Sequence, residues 1–251
     1  MPPTKIYLDN NATTPLDDRV KSAIAGALDL WANPSSNNEN AQKAAEAIRE
    51  SRRHLAEMFA TGADDVVFTS EGTEANNWVI DGAIRNFRLK NPRITPEIVT
   101  TNIEHPSILE PLKRREHDGE ISVKYISVNP ATGFVTPQSI LQAITPATCL
   151  VTIMLANNET GVLQPVDYIN RLIREKYPGD LAPFLHSDVA QAAGKIPVKL
   201  EDLGVDAVTV VGHKFYGPRI GALVYGANGR RLPAMLLGGN QESGQRSGWV
   251  S

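Results

Sequence analysis

The stretch Val208-Thr209-Val210-Val211-Gly212-His213-Lys214-Phe215-Tyr216-Gly217-Pro218-Arg219-Ile220-Gly221 decides how the rest of the chain is read. Its four leading apolar or β-branched residues predict a buried strand, which Gly212 interrupts. Gly217-Pro218 then turns the chain, and residues 220–225 predict a second strand. Lys214 therefore stands just past a strand end, beside a packed sheet. Burial there disfavours the ammonium form, lowers the pKa and leaves a nucleophilic amine. A solvated surface lysine is the plain alternative, and for a lone lysine it is the commoner one. The choice between them rests on what the remaining chain brings to the same place.

Outward from this stretch, strands and helices alternate. Strands are predicted at Val66–Thr69, Ile98–Thr101, Ile121–Ile126, Leu150–Leu155 and Pro183–Ser187. Helices are predicted from Gly72-Thr73-Glu74 to about Lys90, from Pro106 to about Glu116, and over about Val166–Lys176. Another follows Thr136-Pro137, an N-cap with proline at the first helical position, to about Ile144. Upstream, residues 6–16 begin extended and end in a polar turn. Asp17 and Asp18 open a helix through about Leu30, placing negative charge at its positive end. After a loop at 33–38, residues 39–60 form a long helix, with Ala44, Ala47, Ile48, Leu55 and Phe59 near helical spacing. The fold class is α/β: a mixed, mostly parallel sheet flanked by helices. Ligands of such sheets bind beyond the carboxyl ends of the strands.

Composition narrows the possible partners. Of 251 residues, 41% are hydrophobic and 21% charged, as in ordinary globular proteins. The net charge of −3 gives no electrostatic reason to expect nucleic acid or an anionic membrane. No apolar run approaches the ~20 residues of a membrane span. The segment Met1-Pro2-Pro3-Thr4-Lys5 has neither an apolar signal core nor an Arg-rich presequence. A single cysteine rules out an intrachain disulfide and gives no cysteine metal site. No metal is expected, and the compartment that fits is the cytoplasm.

The residues able to do chemistry collect just after predicted strands. Ser70-Glu71-Gly72-Thr73-Glu74 opens a helix, where free N–H groups and a hydroxyl bind phosphate; a capping box is the competing reading. Glu104-His105 follows the next strand, and an imidazole there can stack on a planar cofactor or serve only structure. Asn157-Asn158-Glu159-Thr160-Gly161 follows another, with turn formation as its simpler explanation. Asp188, with Gln191 three residues on, ends a further strand. An acid there can pair with a protonated pyridine nitrogen, the arrangement that makes pyridoxal phosphate an electron sink; it can also cap a following helix. Lysines such as Lys214 form Schiff bases with carbonyl compounds, this cofactor included.

Taken together, these stretches resemble the class V aminotransferase group, in its cysteine desulfurase and selenocysteine lyase branch. The matching segments are Leu8-Asp9-Asn10-Asn11-Ala12-Thr13-Thr14-Pro15, Asn33-Pro34-Ser35-Ser36, Gly72-Thr73-Glu74-Ala75-Asn76-Asn77, Glu104-His105, residues 157–161, Asp188-Val189-Ala190-Gln191 and Gly212-His213-Lys214. The likeness runs from residue 6 to about 248. Residues 151–161 and 211–221 look especially like selenocysteine lyase.

The resemblance implies the large domain of a fold-type I pyridoxal-phosphate enzyme. Residues 17–251 would form it, and residues 1–16 an N-terminal segment on the small-domain side. Lys214 would be the Schiff-base lysine. Thr73 and His213 would hold the phosphate, with the backbone of Gly72 beside them. His105 would stack on the pyridine ring, Asp188 would pair with its nitrogen, and Asn158 and Gln191 would approach its hydroxyl. Val211 departs from the serine that desulfurases often use as a phosphate ligand, which favours the lyase side. The implied reaction removes sulfur or selenium from L-cysteine or L-selenocysteine and leaves L-alanine, in a homodimer.

Family members continue well past residue 251 into a small domain, which carries the substrate-carboxylate arginine and a loop with the catalytic cysteine. Residues 238–242 and 246–248 match the family loop, whereas Trp249-Val250-Ser251 does not. The expectation is therefore a truncated, weakly active or inactive form. The alternative is a non-catalytic cofactor-binding or partner-binding fragment that pairs with a full-length subunit. Cys149, in the predicted core strand, is expected to be an inert buried thiol rather than a substitute nucleophile.

Overall fold

The computed structural model describes residues 6–226 and 230–248. The unmatched tail at 249–251 lies outside the described residues. Seven strands form one sheet: β1 (Val66–Thr69), β2 (Glu97–Thr101), β3 (Ser122–Ile126), β4 (Thr148–Thr152), β5 (Phe184–Asp188), β6 (Ala207–Val211) and β7 (Gly221–Tyr225). Their spatial order is β1-β7-β6-β5-β4-β2-β3. β7 pairs antiparallel with both β1 and β6, and the other pairings are parallel. The expected mixed, mostly parallel α/β sheet is what the chain forms.

Each inner strand is apolar on both faces, and its residues divide by the pleat. Ile98, Leu150, Phe184 and Leu223 enter one core with Trp78, Ile80, Ile84, Ile108 and Leu112. Their neighbours Val99, Val151, Leu185 and Val224 enter a second core with Phe59, Ile140, Ile169 and Ile173. The first core lies under α3 (Gly72–Lys90) and α4 (Pro106–His117). The second lies under α2 (Glu39–Met58), α5 (Pro137–Ala143) and α6 (Val166–Lys176). Continuous apolar runs are what a sheet covered on both sides requires, because successive side chains alternate between two buried faces.

The starts of these helices follow local chemistry. Asn38 accepts from the Ala41 N–H at the start of α2, and Asp17 from the Arg19 N–H at the start of α1 (Asp18–Ala27). Proline opens both α4 and α5. β4 ends at Thr152, three residues short of the expected Leu155. Beyond it the chain stays beside β5 through single bonds, from Ile153 N–H to His186 O and from Leu155 N–H to Asp188 O. No helix follows Asp188, contrary to the capping alternative. The chain there makes a run of turns, and Asp188 Oδ1 accepts from Ala190 N–H. The short helix α7 (Leu200–Leu203) was not foreseen; four residues are too few to show a period.

Two excursions return to the sheet. Near the amino end, Thr14 N–H donates to His213 O, and Asp17 N–H to Tyr216 O. Near the other end, the buried Glu242 carboxylate accepts from both terminal nitrogens of Arg52, at 2.7 and 2.6 Å, and from Phe68 N–H at 2.7 Å. Arg246 grips Glu74 in the first turn of α3 at 2.7 Å.

Ile80 is fully buried on α3 and Leu89, on the same helix, is 79% exposed. Ile80→Ala is expected to destabilise the fold by about 2–5 kcal/mol, and Leu89→Ala by no more than about 0.5 kcal/mol. Urea midpoints of the two variants check this, and equal losses would refute the assigned packing.

Candidate cofactor site

A cavity of ≈ 530 Å³ opens at the carboxyl ends of β1, β2, β4, β5 and β6. Each strand delivers its groups at or shortly beyond its end: Gly72 and Thr73, His105, Asn158, Asp188 and Gln191, then His213 and Lys214. All eight residues singled out from the sequence line this one space. Parallel strands place their carboxyl ends on one edge, so residues distant in sequence converge there.

Lys214 closes a 3₁₀ turn, Gly212–Lys214, directly after β6. A Cβ on Gly212 would stand 2.6 Å from Pro218 O, so only glycine lets the returning chain come this close. The Lys214 ammonium donates to Asn11 O and Ala12 O, both at 2.8 Å. Burial lowers its pKa, while the charges of Asp188, Glu71 and Asp9 oppose that shift. The pKa of His213 is lowered too, by burial and then by the Lys214 charge. Its Nδ1 lies 3.0 Å from Thr13 Oγ1 and its Nε2 3.4 Å from Glu71 Oε1.

The first turn of α3 opens onto the cavity. Its N-cap is Glu71, whose side chain makes no capping bond. The competing capping box does not form: Glu74 Oε2 accepts from Ser70 N–H, one residue before the N-cap, at 2.9 Å. A Cβ on Gly72 would meet Val211 Cγ2 at 2.4 Å, so the methyl group at 211 and the bare backbone at 72 fit one another.

Across the cavity, Asp188 is 6% exposed. Its Oδ2 accepts from Asn76 Nδ2 and its Oδ1 from Ala190 N–H, both at 2.9 Å. Gln191 donates to Asn11 O at 2.9 Å, and Lys195 donates to Gln191 Oε1. His105 is the N-cap of α4, so its structural reading holds together with its place on the cavity wall. Asn157, not Asn158, makes the turn at 157–161: its Oδ1 accepts from the N–H groups of Glu159 and Thr160. Beside the site, Glu104 is buried and accepts from Thr101 Oγ1 and Met154 N–H. Burial pushes its carboxyl up to about 8. Cys149 lies away from the cavity on β4, and burial pushes its thiol up to about 12.

Sequence reasoning missed Asp9, Asn11, Ala12, Glu71, Asn76 and Ser107 as wall residues. Several stood inside quoted stretches, but no spacing reveals that residue 11 meets residue 214.

The donor set suits a flat, anionic, aldehyde-bearing group. It offers a partly dehydrated amine, an uncapped helix start with a hydroxyl and an imidazole beside it, and a buried acid opposite. Among the described residues, no group of three or more His, Cys, Asp or Glu side chains could hold a metal ion.

This is the large-domain fold of fold-type I pyridoxal-phosphate-dependent enzymes. Residues 6–249 match the aminotransferase class-V family, and the chain belongs to it. It is 44% identical to a selenocysteine lyase of Bos taurus, aligning over 97% of this chain and 61% of the relative. A cysteine desulfurase of Trichormus azollae is 40% identical over 97% of this chain and 58% of its own length. Among solved structures, a NifS-like protein superposes with a TM-score of 0.89 at 34% identity, over 98% of this chain and 65% of that one. SspA in complex with cysteine gives 0.88 at 32%, over 98% and 69%. The chain thus spans about 61% of the length of the first curated relatives it matches. These families depend on pyridoxal phosphate.

Because the folded-state pKa of Glu104 is raised above the ordinary carboxyl value, the folded state holds an extra proton between about 4.5 and 8. The stability from this group is fully present below pH 4.5 and is lost as pH rises toward 8. Glu104→Gln, which keeps the neutral shape, is expected to gain on the wild type steadily across that interval. Thermal melts of both proteins from pH 5 to 8.5 check this, and parallel curves would refute it.

Proposed function

We propose that the protein of which this chain is part removes selenium or sulfur from L-selenocysteine or L-cysteine, leaving L-alanine. The observation that carries this reading is the partly buried Lys214 amine facing Asp188 across a cavity that opens beside the uncapped start of α3. When bound, pyridoxal phosphate supplies an electron sink for the pair released as bonds at the amino acid's α- and β-carbons break.

The chain's residues take the following parts. The Thr73 hydroxyl, the His213 imidazole and the backbone at Gly72 would hold the phosphate. Asp188 would balance the charge on the ring nitrogen, His105 would cover the ring, and Asn158 and Gln191 would approach its hydroxyl. Lys214 is the attachment point and, once free, the base that takes and returns a proton at the substrate's α-carbon. Its lowered pKa suits that work, since a larger share of the amine is unprotonated near neutrality. To act, it must leave the carbonyls of Asn11 and Ala12, so residues 9–14 sit where attachment of the amine is felt.

Support for the selenium and sulfur chemistry comes from the relatives, selenocysteine lyases at 41–44% identity and cysteine desulfurases at 40%. The hydroxyl-free Val211, packed on Gly72, fits the lyase side. The same reading takes a second copy of the chain as partner and the cytoplasm as compartment, on the strength of the resemblance and composition. Among the described residues, no helix is long and apolar enough to cross a membrane.

Borohydride reduction of the chain incubated with pyridoxal phosphate, followed by peptide mapping, should place the label on the Lys214 peptide. Lys214→Ala should abolish it. A label on Lys195, or none on a folded chain, would sink the assignment. Alanine release from L-selenocysteine and L-cysteine then tests the reaction.

A further inference from the structure

Asp188 and His105 stand on different strand ends, yet one line of hydrogen bonds joins them. Asn76, on α3 and 1% exposed, spends both protons of its amide nitrogen. One goes to Asp188 Oδ2 at 2.9 Å, the other to Ser107 Oγ at 2.8 Å. Ser107 Oγ, having accepted that bond, lies 2.7 Å from His105 Nδ1 and has its own proton to give. The Ser107 backbone N–H also points at Nδ1, at 3.1 Å. A backbone N–H can only donate, so Nδ1 is an acceptor and the ring proton belongs on Nε2. The arrangement has a cost: Asn76 Oδ1 is buried and finds no partner among the described residues. An unpaired buried acceptor is unfavourable. A side chain placed only for packing would not need it, and a leucine there would avoid it.

We propose that Asn76 and Ser107 are positioning residues that bind Asp188 and His105 into one hydrogen-bonded unit, fixing His105 as the Nε2–H tautomer. The inference deepens the reading above, in which those two groups attend the cofactor ring. The bonds belong to the chain and do not depend on that reading. Asn76 and Ala190 N–H each hold one carboxylate oxygen of Asp188, which sets the plane of the acid. The Ser107 N–H sets which nitrogen of His105 can donate, and the Ser107 hydroxyl, oriented by the same amide, adds its own proton to that nitrogen. A charge change at Asp188 polarises the Asn76 amide and, through Ser107, reaches the imidazole, because linked hydrogen bonds in a dry interior reinforce one another.

The test uses the full chain without cofactor, labelled with ¹⁵N-histidine, with His105→Gln identifying the His105 signals among the five histidines. The expected spectrum has a pyrrole-type Nε2 and a pyridine-type Nδ1. Asp188→Asn should move the Nδ1 signal. In an Asn76→Leu background the same substitution should leave it in place, and a Ser107→Ala background should do so independently. Melts establish that each variant is folded, and should the Leu variant fail to fold, Ser107→Ala carries the test. A protonated Nδ1, or an equal response to Asp188→Asn with and without the intervening groups, would overturn the proposal. A parallel titration with pyridoxal phosphate should show affinity about tenfold weaker in Asn76→Leu, the weight of one hydrogen bond to a charged group. If the wild-type chain takes up no cofactor while the histidine coupling is intact, the functional reading fails and the unit stands.

Discussion

The site depends on keeping one amine partly out of water. Lys214 is placed where burial disfavours its charge, and the carboxylates near it, Asp188, Glu71 and Asp9, do not cancel that effect. Two backbone carbonyls take its protons in place of solvent. Such a balance needs a rigid surround, because a small retreat of any wall would rehydrate the ammonium and restore an ordinary lysine. The sheet supplies that rigidity. β6, which ends at the lysine turn, is paired on both sides and buried along its length.

The same edge explains how opposite kinds of groups coexist there. The start of α3 favours negative charge, and the acid of Asp188, held by Asn76 of the same helix, lines the same cavity. Excursions from both ends of the chain hold this edge in shape. Residues 9–17 lie over the lysine turn, with the Thr14 hydroxyl accepting from Tyr216 N–H at 2.7 Å while donating to His213 O. Tyr216 has a φ of 66°, a region that a bulky residue enters only when held. From the other side, Arg246 on Glu74 fastens the 230–248 segment to the first turn of α3, and Glu242 fastens it to α2 through Arg52 and to β1 through Phe68 N–H. Buried bidentate pairs of this kind contribute more to geometry than to net stability.

Glu104 and His186 show what the interior does to titratable groups that have no part in the chemistry. His186 lies between Thr152 Oγ1 and Thr209 Oγ1, and burial pushes its pKa down to about 3. It is a neutral hydrogen-bonding strut linking β4, β5 and β6. Glu104 ties the end of β2 to the residues after β4. Both sit in the interior that supports the cavity, and each keeps its neighbours aligned by being uncharged near neutrality.

By itself the sequence determined the alternation of strands and helices and singled out eight residues that line the cavity. Short continuous apolar runs, helix starts marked by Pro106, Pro137 and Asp17, and the Gly212-His213-Lys214 stretch are local signals, and local sterics and capping chemistry obey them. The ends of α3 and α6 fall where the sequence signals place them, at about Lys90 and over about Val166–Lys176. The end of β4 does not, because pairing beyond Thr152 depends on where β5 runs. Tertiary structure alone decided which groups touch. That Asn11 and Ala12 receive the Lys214 protons, that Val211 excludes a side chain at 72, and that Asn76 stands between Asp188 and His105 are contacts across 31 to 203 positions of chain. Sequence spacing carries no record of them. They arise when parallel strands bring their carboxyl ends to one edge and the pleat and helix packing fix which side chains meet there.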